Sequence, residues 1–215
     1  MIGLALAVCL AAGSLLISSL YGMQAQRFLD AWAAGRAPAT ERGLEFAITA
    51  ADREVRFFPG PSGTAFDRAA SARDWFDPQT PFARATEAVI ASRRAAVDAY
   101  EAAVDARPLW PYGHLRLAAA LTRVEWQPAR FSEALARGFE LGPWRPRVTR
   151  RVVELGLPRW GWLDGEARRA VLLSARRTAS LNPQSARAVR QIAERSGQRE
   201  LLRLAIPALY DGRVQ

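Results

Sequence analysis

From Met1 to Tyr21 the chain carries no charged side chain, and from Ile2 onward those residues form one apolar run that reaches Ile17, Leu20 and Tyr21. At about 1.5 Å per helical residue, twenty such residues extend roughly 30 Å, the thickness of a bilayer's hydrocarbon core. Everything after Gln24 is polar, arginine-rich and patterned for helices. This contrast predicts a membrane anchor over residues 1–22 joined to a helical domain.

Two other fates of the segment fit less well than the anchor. A cleavable signal needs a basic start, an apolar core of about 7–15 residues and small residues at the cut. Here no cation precedes the run, and Met23-Gln24-Ala25 makes a poor cleavage site. Leu6-Ala7-Val8-Cys9 is similar to a lipoprotein site, but it lies close to Met1 and has Val where a small residue belongs. The retained anchor is the expectation. Arg27 and Arg36 both follow the span, which favours a cytoplasmic domain, although long domains cross membranes with little regard to charge. Cys9 is the one cysteine, so the rest of the chain suits either redox compartment.

All thirty basic residues are arginine. Without lysine there is no P-loop lysine, Schiff-base lysine or lysine base. The net charge of +9 is one-sided: residues 1–100 carry ten Arg and ten acids, and residues 101–215 carry twenty Arg and eleven acids. Such an excess attracts anions, with anionic lipid or an acidic glycan the partners in view. Nucleic acid is not expected, because no reader motif accompanies the charge.

Helical signals fill the remainder. Residues 23–80 form an N-terminal helical region with a linker near 58–63. In it a short helix continues the anchor over 25–34, Thr40 caps a helix from Glu41 to Phe57, and a shorter one ends before Asp77-Pro78. From Pro81 to Ala106 the alanine-rich pattern predicts one long helix. Ala96, Tyr100, Ala103 and Pro108 within and after it have the small–aromatic–small–proline order of a tetratricopeptide second helix. Trp110, Tyr112, Leu115 and Ala119, the turn Trp126-Gln127-Pro128, and Phe131 to Leu141 form the next unit, ending at Gly142-Pro143. A degenerate third unit ends at Asn182-Pro183, residues 184–209 close the array, and 211–215 are a tail. The expected fold is all-α: a transmembrane helix followed by a tetratricopeptide-like α-solenoid of antiparallel helix pairs over 81–210.

The segments Arg107-Pro108-Leu109-Trp110-Pro111-Tyr112, Leu141-Gly142-Pro143-Trp144, and Glu154-Leu155-Gly156-Leu157 followed by Trp160 resemble the VpsP-type proteins of bacterial exopolysaccharide clusters. The likeness is best over 85–182. It implies an inner-membrane, single-pass protein that works with polysaccharide-assembly proteins, and points to a periplasmic domain where the local arginines point to the cytoplasm. The alternative is a general envelope assembly or secretion factor that holds protein segments in its repeats.

Side-chain chemistry adds no catalytic residue, cofactor or metal to the expectation. His114 is the only histidine, and the one cysteine lies in the apolar run. No G-x-S-x-G elbow is present, and Pro59 and Pro61 remove donors that a phosphate loop would need. Glu101 with Asp105 reads as a solvated helix face, and Asp164 as the cap of a helix near Glu166. Core packing between repeats is the simplest role for the tryptophans. Trp110, Tyr112, Trp144, Trp160 and Trp162 are the candidate partner-binding aromatics, because such rings suit protein hot spots, with a sugar platform the other functional reading of the tryptophans. Arg145, Arg147, Arg150 and Arg151 stand without an acid between Leu141 and Val153, and are the candidate anion-binding group.

Overall fold

The computed structural model describes residues 2–58, 60–76 and 80–210. The proposed tail at 211–215, and Pro59 and Asp77-Pro78 of the expected loops, lie outside the described residues. Among the described residues there are ten α-helices and no strand. The chain divides into two compact units, Met1–Pro108 and Leu109–Gln215.

The first unit contains α1 (Ile2–Ala33), α2 (Glu41–Phe57), α3 (Gly63–Asp74) and α4 (Glu87–Ala106). The segment Gly3–Ala33 is long and apolar enough to cross a membrane. It has no break near residue 22: the apolar run and the helix expected after it are one rod. Leu4, Leu6, Val8 and Leu10 are exposed on it, whereas Ala25, Leu29 and Trp32 are buried. These three join Leu44, Ala47, Ala50 and Ala51 of α2 and Ala69 and Ala72 of α3 in one core. So many alanines let the helix axes approach closely, and Trp32 fills space beside Trp75, ring to ring at 5.8 Å.

Polar contacts set the register of α1 against α2. Ser18 Oγ donates to the Glu54 carbonyl at 2.9 Å, and Ser14 Oγ donates to that of Phe57. Further along, Phe28 meets Phe46, so the two helices run antiparallel. Glu54 is buried and paired with Arg68 of α3, and Gly22 lies directly over this pair, where a Cβ would collide with both side chains. Thr40, Ser62 and Thr86 cap α2, α3 and α4 through their hydroxyls. The stretch expected as one helix from Pro81 begins instead with a 3-10 turn at Phe82–Arg84, and α4 starts at Glu87. Thr86 ends the extended backbone there by accepting the Val89 N–H. Ala96, Tyr100 and Ala103 are buried on α4, and the Tyr100 hydroxyl donates to Asp74 Oδ2 at 3.0 Å on α3.

The second unit contains α5 (Pro111–Leu121), α6 (Pro128–Leu141), α7 (Pro146–Gly156), a 3-10 segment at Leu157–Trp162, α8 (Gly165–Ala179), α9 (Pro183–Arg195) and α10 (Arg199–Ala205). Proline opens four of these helices, at a position whose N–H has no helical partner in any case. The expected cap Asp164 accepts from Ala167 N at 2.8 Å. The closing helix expected through Leu209 stops at Ala205, and Pro207 opens a separate 3-10 turn. In this unit α5 packs on α6 and α7 on α8, while α5 also touches α7 and α6 touches α8. Phe131, Leu115, Leu135, Val148, Val152, Val153 and Val171 fill the common core. Gly138 and Gly156 stand where Leu115 and Val171 press against the neighbouring backbone, so each crossing is closer than a side chain at the glycine would allow.

Candidate functional site

The five candidate aromatics all lie in the second unit, in three settings. Trp110 precedes α5 and meets Tyr112 edge-on at 5.7 Å, with the Arg116 guanidinium 5.5 Å from its ring. Both rings are half-buried, and Tyr112 packs against the core. Trp160 and Trp162 end the 3-10 segment, where Leu157 is buried and anchors the turn. Trp160 leans on the core with Arg168 over it at 5.7 Å, whereas Trp162 is 65% exposed and touches Trp126 edge-on.

Trp144 is different again. It stands 78% exposed in the Gly142–Arg145 loop, yet it is held in place. The Arg177 guanidinium of α8 lies 3.8 Å from its ring centroid, and Arg177 Nη1 donates to the Pro143 carbonyl at 2.8 Å. A cation stacked on one indole face leaves the other free for a partner, with the ring already ordered. Arg177 was not among the expected site residues. Thirty-three positions separate it from Trp144, and only the packing of α7 and α8 brings them together.

The arginine group divides in two. Buried Val148, Val152 and Val153 turn α7 inward and leave Arg145, Arg147, Arg150 and Arg151 outward. Glu154, one residue beyond the acid-free stretch, takes Arg150 Nε at 2.8 Å and Arg151 Nη1 at 3.3 Å. Among the described residues Arg145 and Arg147 have no ion pair, whereas Arg150 and Arg151 share the one Glu154 carboxylate, so most of the uncompensated charge lies at the start of α7. Helix N-termini also favour anions, which adds to the same end.

Arg159 is a half-buried cation that periodicity could not single out. Its guanidinium lies 5.6 Å from the Phe131 ring and 6.0 Å from that of Trp126, and it donates to the Leu155 carbonyl. Burial first, and then nearby Arg151, pull it below the ordinary arginine range. Between α6 and α8 lies a groove of 390 Å³, lined by Glu133, Arg137, Glu140, Glu166 and Arg169 around Phe139 and Leu173. Its mixed charge and apolar floor suit a peptide segment better than a small apolar ligand. His114 is buried in α5. Among the described residues no group of three His, Cys, Asp or Glu side chains is placed to hold a metal ion. No protein-family model matches the chain, and no curated protein is similar to it in sequence.

Proposed function

We propose that the protein is a non-catalytic scaffold, anchored in the bacterial inner membrane by α1, that binds envelope proteins which assemble or export an exopolysaccharide. The observation that carries the scaffold reading is the packing of the second unit. Helix pairs α5/α6 and α7/α8 follow one another, with contacts between α5 and α7 and between α6 and α8. Consecutive packed pairs of this kind support a tetratricopeptide-like reading, and stacks of helix pairs bind partner proteins on their surfaces. Exposed, pre-ordered Trp144 and exposed Trp162 supply the aromatic anchors such a surface uses. The polysaccharide assignment rests on the resemblance of residues 85–182 to the VpsP-type proteins. Retention of α1 is supported by its use in the core, since cleavage near Ala25 would discard the residues that cover Glu54.

The test places a photo-crosslinking residue at Trp144 and at Trp162 in cells that make the polymer. Adducts with polysaccharide-assembly or export proteins are expected. Adducts with secretion or general assembly factors would favour the alternative, and their absence at both positions would remove the partner surface. Changing Arg145 and Arg147 to Glu should weaken binding to anionic vesicles or acidic glycan more than changing Arg150 and Arg151, which share the single carboxylate of Glu154.

A further inference from the structure

The apolar surface of α1 does not end where its contact with α2 begins. Leu15, Leu16, Ile17, Leu20 and Met23 are all exposed along the same turns on which Ser14, Ser18 and Gly22 face α2. The helix has no charged residue before Arg27. A lipid boundary that follows this exposed apolar face therefore passes beside the last turns of α2 as well as around α1.

Those last turns carry what an interface needs. The Tyr21 and Phe57 rings stack at 5.9 Å, and Phe58, half-exposed, follows at the helix end. Arg53 lies over the Tyr21 ring at 5.3 Å and reaches its hydroxyl at 3.5 Å, while Arg56 is exposed one turn on. Aromatic side chains with arginines that can extend to phosphates are the composition of a membrane–water boundary. The backbone is prepared too. A helix end leaves carbonyls without helical partners, and in lipid these must be met within the protein. Here Ser14 donates to the Phe57 carbonyl, and Ser18 adds a second bond to that of Glu54, which already accepts the Phe58 N–H. Buried Glu54 at this level is paired with Arg68 beneath the close approach of Gly22.

We propose that the final turns of α2, Arg53–Phe58, are seated in the membrane interface beside α1, with Phe57 and Phe58 in the lipid and Arg53 and Arg56 on phospholipid phosphates. The seating rests on the reading of α1 as a transmembrane helix. Along α1 from Tyr21 to Ser14 is seven residues, about 10 Å, so the carbonyl of Phe57 lies below the aromatic level. The first unit is thus not suspended from the anchor. It is set into the same boundary.

The experiment uses the full chain in phosphatidylcholine–phosphatidylglycerol vesicles, in a Cys9→Ser background. Single cysteines at Leu16, Phe58, Arg56 and Glu41 are labelled with bimane and challenged with nitroxide lipids and with aqueous iodide. Leu16→Cys reports the spanning helix and Glu41→Cys the far, exposed end of α2. Lipid quenching at Phe58→Cys and Arg56→Cys should be severalfold that at Glu41→Cys, with protection from iodide. If Leu16→Cys is lipid-quenched while Phe58→Cys and Arg56→Cys behave like Glu41→Cys, the seating is wrong and the anchor stands. If Leu16→Cys itself escapes lipid quenching, the spanning reading fails and the seating with it.

Discussion

Replacing Gly156 by alanine puts a number on the close approach that builds the second unit. Gly156 ends α7 with φ −85° and ψ −42°, ordinary helical angles that alanine adopts freely. On backbone grounds alone the change should stabilise, by up to about 1 kcal/mol. The packing argues the other way. A Cβ at this position would lie 2.2 Å from Val171 Cγ2 and 3.1 Å from Leu135 Cδ2. Both neighbours are fully buried, and a β-branched valine on α8 has essentially one rotamer, so its methyl cannot turn aside. Overpacking of this kind costs about 1–3 kcal/mol, and a blocked rotamer places this case in the upper part of that range. The net expectation is a loss of about 1–2 kcal/mol, or roughly 5–12 °C in melting temperature for a unit of this size.

The measurement is urea and thermal unfolding of the full chain in detergent micelles, followed by tryptophan fluorescence. Five of the seven tryptophans lie in the second unit, so the signal reports mainly on it. Gly161→Ala is the control: nothing lies within 4 Å of its Cβ, and its stability should stay within about 0.5 kcal/mol of the parent. Val171→Ala removes the obstructing methyl groups, at a cost of its own. In the double variant the two losses should fall short of their sum by about 1 kcal/mol or more. If Gly156→Ala is as stable as Gly161→Ala, and the double variant is additive, α7 and α8 do not cross at this distance.

Two further outcomes concern the ends of the chain. Among the described residues the Tyr210 hydroxyl is buried without a hydrogen-bond partner, and burial first, then Glu194, raises its pKa against the opposing pull of Arg199 and Arg190. A raised folded pKa means stability fully present below the unfolded value of about 10 and lost as pH climbs through the folded one. Tyr210→Phe should flatten this alkaline loss in urea titrations and leave neutral stability equal or slightly higher; an unchanged alkaline slope would contradict the assignment. At the other end, deleting residues 2–13 should leave unit 1 folded, because among the described residues the side-chain hydrogen bonds from α1 to α2 begin at Ser14. Deleting 2–22 should cost that unit about 3 kcal/mol, from two hydroxyl hydrogen bonds and the Tyr21–Phe57 stack. Hydrogen exchange of α2 amides reads the difference, and equal protection in both deletions would sink it.

Local signals in the sequence located most elements, because caps and prolines act over a few residues. Thr40 and Asp164 start their helices where their side chains predict, and the prolines at 111, 128, 146 and 183 each open one. The reading failed where a weak local preference competed with a cap. Alanine-rich periodicity from Pro81 suggests continuous helix, but the extended Ala85-Thr86 step delays it to Glu87. The candidate site was harder to read. Exposed Trp144 and Trp162 differ from half-buried Trp110 and Trp160 only through tertiary packing. Arg177 beneath Trp144 comes from another helix, and Glu154 quiets half of the arginine group from one residue past the acid-free window.

The same limit explains why a hydropathy sum misreads α1. Such a sum averages over all faces of a helix, and Ser14, Ser18 and Gly22 are mild enough to vanish in it. Spaced four apart, they make one narrow face, and that face meets the end of α2. The outward leucines keep the apolar character through Leu20, so one stretch of helix serves lipid on one side and protein on the other. Because α1 continues unbroken to Ala33, no flexible joint separates the apolar end from Ala25, Leu29 and Trp32 in the core. If α1 spans the bilayer, unit 1 is held at one height and one rotation against the membrane surface. The orientation of that unit is then set by helix packing rather than by a flexible linker.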